Sequence, residues 1–261
     1  MNYGMLKNAA WISLLIVLIL GVFGAMRWLN YNEKLKVRAV DGYCPTGTKS
    51  QIREGIESPG HTIILIDTSN QITEEDGKLA FEKIDALIRD TLRTPFLQKI
   101  SVYGLPESES AKPVRSGRAW CVPKQGEMAD RLYENPRIVA LDFRDFINGL
   151  QGEFELLRNR EEADVSPIAE TMAYLVERND DLDSFIIVSD MLQHTSMWNA
   201  YNGGDLPADA AAGVCQGITQ SGVLKAVYVY HIDRQIPAQG INWPAAGWQQ
   251  CLTGIRAEEL N

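Results

Sequence analysis

Apolar residues fall into three kinds of run along this chain. The first is long and uncharged: residues 8–26 carry no ionisable side chain and lie between Lys7 and Arg27. At about 1.5 Å of rise per residue, such a helix covers the roughly 30 Å hydrocarbon core of a bilayer. Trp11 and Trp28 fall near its two ends, where indole rings favour the membrane interface. The pattern predicts one transmembrane helix over 8–26, with residues 1–7 as a short tail before it. Gly24 and Ala25 also suit the end of a cleavable signal peptide, but the apolar run is longer than an ordinary signal core.

The second kind is short and rich in β-branched residues: 62–67 (TIILID), 100–105 (ISVYGL), 185–189 (FIIVS) and 226–232 (AVYVYHI). Continuous apolarity over so few residues predicts strands buried on both faces. The third kind has helical spacing. Thr73 and Asp76 resemble a capping box, followed by Ala80, Ile84, Leu87, Ile88 and Thr91 until Pro95. From Leu141, the residues Phe143, Phe146, Ile147, Leu150, Phe154 and Leu157 mark a long amphipathic helix, and Ile168, Met172 and Leu175 mark a shorter one after Pro167.

Residues 27–60 read as a charged juxtamembrane stalk running into a Gly- and Pro-containing loop, and residues 61–261 as one domain. The segment around Cys121 reads as a loop region or insertion. Strands alternating with amphipathic helices predict an α/β fold: a doubly wound, mostly parallel sheet with helices on both faces. Such sheets bind ligands beyond the C-terminal ends of their strands. Asp67 and Asp190 close two of the predicted strands.

A hydrophobic fraction of 45% and a charged fraction of 23% describe an ordinary globular chain, and the net charge of -9 without a basic patch argues against nucleic acid as a partner. Sidedness receives opposing signals. Arg27, Lys34, Lys36 and Arg38 after the helix outnumber Lys7 before it, which favours a cytoplasmic-facing domain. Cys44, Cys121, Cys215 and Cys251 form an even set without a CxxC pair, which suits two disulfides in an oxidising compartment better than zinc. Four cysteines allow three pairings, and four buried thiols are the alternative; Cys44 with Cys121 and Cys215 with Cys251 is the expectation. A long domain can be translocated despite flanking charge, so the expected location is extracytoplasmic or periplasmic, on a single-pass protein of a bacterial-type inner membrane.

The first strand ends in Asp67-Thr68-Ser69-Asn70-Gln71 and the third in Ile187-Val188-Ser189-Asp190, with Val165-Ser166-Pro167-Ile168 between them. In this order the three segments resemble the von Willebrand factor A (VWA) domain and its metal-ion-dependent adhesion site, over about residues 62–255. The family has Asp-x-Ser-x-Ser after its first strand, a Thr in a later loop and an Asp after a central strand. The resemblance implies Asp67, Ser69, Gln71, Ser166 and Asp190 as ligands, with Gln71 standing in place of a serine. It also implies Mg²⁺, or Mn²⁺ or Ca²⁺, as cofactor. Mg²⁺ takes six oxygens and usually keeps waters, so a few hydroxyls and carboxylates leave the site open to an acidic group of a protein partner.

The resulting expectation is a membrane-tethered, non-enzymatic protein-binding module. A metal-dependent hydrolase or phosphatase is the alternative, although Ser69 stands where Asp-x-Asp phosphatases carry their acid-base carboxylate. A metal-free structural component of an envelope assembly is another. His61, His194 and His231 are too scattered for a zinc motif, but His194 follows Asp190 closely enough for the rim of a site. Asp233 and Arg234 read as a solvated turn beside it, and Trp198 and Tyr201 as a partner-contact surface or local loop packing.

Overall fold

The computed structural model describes residues 15–29, 60–132, 134–202, 206–220, 222–233 and 246–260. The first described element, α1, is helical over 15–29, and its large apolar side chains, from Leu15 to Leu29, are exposed around the helix. Its described length is about 22 Å at 1.5 Å per residue and includes Arg27. No described helix is long and apolar enough to cross a membrane. The first part of the predicted span, 8–14, lies outside the described residues, as does most of the stalk.

The domain is built on a seven-stranded sheet. Its strands are β1 (His61–Ile66), β2 (Lys99–Gly104), β3 (Val114–Arg115), β4 (Trp120–Cys121), β5 (Leu182–Ser189), β6 (Ala226–His231) and β7 (Arg256–Glu259). Their order is β3-β2-β1-β5-β6-β7, with β4 also paired to β2. β1 is parallel to β2 and β5, β5 to β6, and β6 to β7, whereas the two-residue β3 and β4 are antiparallel to β2. The four strands read from the sequence are the four interior ones.

The helices are α2 (Glu74–Arg89), α3 (Pro136–Arg158) and α4 (Ile168–Arg178). They are followed by α5, made of Ala208–Ala210, a π-helical turn Ala211–Cys215 and Gln216–Gln220, and by α6 (Ala246–Cys251). β1 shows why its sequence is apolar without alternation. Ile64 and Ile66 enter a core with Ile84 of α2 and Phe143 and Phe154 of α3, whereas Ile63 and Leu65 enter the opposite core with Met172 of α4, Ile218 of α5 and Trp248 of α6. Both faces are covered, as a doubly wound sheet requires.

Local chemistry sets the helix starts. Thr73 Oγ1 caps α2 by accepting from the Asp76 amide at 3.1 Å, as the capping-box pattern predicts. Asn135 Oδ1 accepts from the Arg137 amide at 3.0 Å with Pro136 opening α3, so this helix begins earlier than its apolar stripe suggests. Cys215 and Cys251 form a disulfide between α5 and α6, the expected pairing. Cys121 is also disulfide-bonded; its expected partner, Cys44, lies outside the described residues.

Candidate functional site

β1 and β5 are neighbours whose connections leave toward opposite halves of the sheet, so the crevice beyond their C-terminal ends is the topological switch point. Asp67 stands there, only 1% exposed, with the ladder continuing through its amide to Val188 O at 3.0 Å. Its carboxylate is the hub of the crevice. Oδ2 accepts from the hydroxyls of Ser166, at 3.0 Å, and Ser189, at 2.6 Å, while Oδ1 accepts from the Ser69 amide at 2.9 Å.

Two connections cover this hub. The segment from α3 to α4 crosses the top of the sheet, tied to the strand end by the Ala163 amide on Thr68 O at 3.2 Å. The segment after β5 pairs with it, because Ser166 and His194 exchange backbone hydrogen bonds of 3.0 Å in both directions. Fully buried Gln193 fixes the junction: its Oε1 accepts from the Ala169 amide at 3.0 Å, capping α4, and its Nε2 donates to Glu170 Oε2 at 2.5 Å. Thr195 Oγ1 donates to the other oxygen of Glu170 at 2.9 Å. Between the two segments lies a polar depression of about 370 Å³, lined by Ser69, Asn70, Glu162, Asp164, Ser166, His194 and Tyr201.

Ser69 and Ser166 thus meet over Asp67. Ser166 sits two residues before α4 and gives its hydroxyl to Asp67, not to the helix as an N-cap; the N-cap position falls to Pro167, and Gln193 supplies the missing cap. Asp190 follows β5, buried, and its Oδ1 accepts from the Leu192 amide at 3.0 Å, closing the turn. Gln71 is exposed and is not among the residues lining the depression. His194 and Tyr201 are rim residues, their rings 5.4 Å apart edge to face. Trp198, for which a partner-contact surface and loop packing were the two expectations, is 2% exposed and packed, against Trp248 with ring centroids 4.9 Å apart. Asp233 is exposed beyond β6, and Arg234 lies outside the described residues.

Ser189 was absent from the set that the motif implies. Its signal in the sequence is a hydroxyl ending an otherwise apolar buried strand, which needs a polar partner.

Among the described residues, no group of three or more His, Cys, Asp or Glu is placed to hold a metal ion. A cation here would therefore rely on hydroxyls. The donor chemistry fits a hard cation: a serine hydroxyl that donates to Asp67 keeps acceptor capacity of its own, and Glu162 and Asp164 add carboxylates at the rim. Asp67, Ser69 and Ser166 would hold the ion, with Ser189 and the Asp190 turn behind them.

No protein-family model and no curated protein matches the chain. Among solved structures it is similar to the von Willebrand factor type A protein of Catenulispora acidiphila, at 15% identity and a TM-score of 0.39, over 78% of this chain and 38% of that one. The chain therefore spans less than half the length of that neighbour.

Proposed function

We propose that this chain is a membrane-tethered, VWA-like binding module whose crevice takes Mg²⁺ or Mn²⁺ and offers it to an acidic group of a protein partner. The observation that carries this reading is the convergence of Ser166, Ser189 and the Ser69 amide on Asp67 at the switch point, below a polar depression rich in hydroxyl and carboxylate oxygens. Asp67 has three donors on its two oxygens and almost no exposure, which supports a holding role over nucleophilic attack. This favours a binding module over a hydrolase.

The exposed apolar side chains that surround α1 from Leu15 to Met26 support a tether at the membrane, because such a helix is stable only where that surface is covered. Disulfide-bonded Cys121, Cys215 and Cys251 support an extracytoplasmic domain. A metal-free structural module is the second reading, favoured by the exposure of Gln71 and by the Asp190 oxygen committed to Leu192.

Calorimetric titration of Mg²⁺ and Mn²⁺ into the full chain in detergent micelles separates the two. The metal reading expects saturable binding that Asp67→Ala weakens by at least about tenfold. Absence of binding to the unaltered chain at millimolar Mg²⁺ would favour the metal-free module.

A further inference from the structure

The turn that follows β5 is held from a distant part of the chain. Met191 has φ 58°, the left-handed region that side-chain-bearing residues other than Asn and Asp rarely enter. In this conformation its amide donates to Ser189 Oγ at 2.8 Å, and Ser189 in turn donates to Asp67 Oδ2 at 2.6 Å. The carbonyl of the same residue accepts from the indole Nε1 of Trp248 at 2.8 Å. Trp248 is 1% exposed and stacked against Trp198, so its N–H has little freedom to choose another acceptor. It lies in α6, a helix of six residues that ends in Cys251, where the disulfide to Cys215 fastens it to the π-helical turn of α5.

We infer that Trp248 is a positioning residue for the crevice, acting through Met191 and Ser189 on the Asp67 carboxylate, and that the Cys215–Cys251 disulfide keeps it in place. A six-residue helix is too short to persist by its own hydrogen bonds. Its anchorage therefore comes from burial of Trp248 and Cys251 and from the covalent link. The indole reaches a carbonyl and not a side chain, so it constrains the backbone at Met191 whatever occupies the depression. If the indole bond is lost, the Met191 carbonyl keeps only the longer bond from the Gln193 amide, at 3.2 Å, and relaxation of Met191 to an ordinary φ would turn its amide away from Ser189 and loosen that hydroxyl's aim at Asp67.

The consequence for metal affinity rests on the cation reading above, whereas the consequence for the turn does not. Trp248→Phe keeps the ring against Trp198 and removes only the donor. In the full chain in detergent micelles, amide exchange at Met191 and Leu192 in this variant is expected to quicken at least about tenfold, as for loss of one buried hydrogen bond. Mn²⁺ affinity is expected to fall by a similar factor. Met191→Gly, which takes a positive φ without help, should return Mn²⁺ affinity toward that of the unaltered chain when combined with Trp248→Phe. A merely structural tryptophan would lower the thermal midpoint while leaving Mn²⁺ affinity and local exchange unchanged, and that result overturns the inference. Weaker Mn²⁺ binding with unchanged exchange at Met191 overturns it too, since the path would not run through that turn. If the unaltered chain binds no Mn²⁺, the cation reading falls and the exchange rates alone decide: faster at Met191 upholds the positioning role, unchanged refutes it.

Discussion

His61, Ser101 and Asp181 form a constellation that looks catalytic and is structural. The His61 ring places Nε2 3.0 Å from Ser101 Oγ and Nδ1 3.4 Å from Asp181 Oδ1, but His61 and Ser101 are each 1% exposed, at the N-terminal end of the sheet, opposite the crevice. A nucleophile there has no access to substrate. Burial holds the His61 imidazole below its ordinary value of 6.5, and the hydrogen bond from His61, with Lys99 nearby, brings Asp181 from 3.8 to about 2. Both shifts favour the folded state at higher pH, because the unfolded chain binds the additional protons. Stability is therefore expected to fall as pH drops below 6.5 through the histidine's folded-state value, and again between 3.8 and about 2. His61→Asn should be less stable at neutral pH yet show a flatter urea midpoint between pH 6.5 and 5; an unchanged slope there would refute the assignment. At this scale the sequence was readable where function is local. Asp67 ends a strand and Ser166 precedes a helix, and both signals lie within a few residues. Gln71, two residues before the Thr73 cap, is exposed, which counting positions along a motif does not reveal. For Trp198 the sequence left a partner-contact surface and local loop packing open, and what decides for packing includes Trp248, which lies in a distant segment.

Elements were legible in proportion to how much apolar surface they bury. β1, β2, β5 and β6 are covered on two faces and read as unbroken apolar runs, whereas β3, β4 and β7 are only two to four residues long, too short to show a pattern. They exist because β2 and β6 offer backbone groups, not because their own sequences insist on it. α5 has no counterpart among the helices predicted from the sequence for a similar reason: its Ala- and Gly-rich stretch has no stripe, and its π-helical turn breaks the period. One contact between elements gives a direct test. Gly149 lies on the α3 surface against the Trp120 indole, and a Cβ there would overlap the ring; Trp120 is fixed by its Nε1 bond to Glu153 Oε1 at 2.9 Å and by Phe146 at 6.1 Å. Gly149→Ala gains about 1 kcal/mol of helix propensity but forces a repacking that costs about 1–3 kcal/mol. The expected outcome is a net loss of up to about 2 kcal/mol in urea unfolding, with a changed Trp120 emission. A stabilised variant would show that the indole moves aside freely.

At the scale of the molecule, the polarity of the sheet sets what a tether does. The chain enters the domain at Gly60, at the N-terminal end of β1, and the crevice lies at the other end of that six-residue strand, about 20 Å away. The crevice is therefore at the opposite end of the strand from the point where the chain enters the domain. The cysteines offer a test of which compartment the domain occupies, and they differ as reporters. Cys215 and Cys251 are 5% and 0% exposed and hidden from a reagent even when reduced, whereas Cys121 is half-buried at the β2 edge. Right-side-out membrane vesicles carrying the full chain, treated with a membrane-impermeant maleimide, should show no label until a reductant opens the Cys121 disulfide, and then label at Cys121 and at its bonding partner, expected to be Cys44. Inside-out vesicles should stay unlabelled after the same reduction. Labelling without reductant, and only in inside-out vesicles, would place the domain in the cytoplasm and make Arg27, Lys34, Lys36 and Arg38 the better guide to sidedness. In a Cys121→Ser control the bonding partner, expected to be Cys44, becomes a free thiol, so label in right-side-out vesicles should appear without reductant and disappear in the Cys44→Ser/Cys121→Ser double variant, which separates a wrong compartment from a wrong reporter.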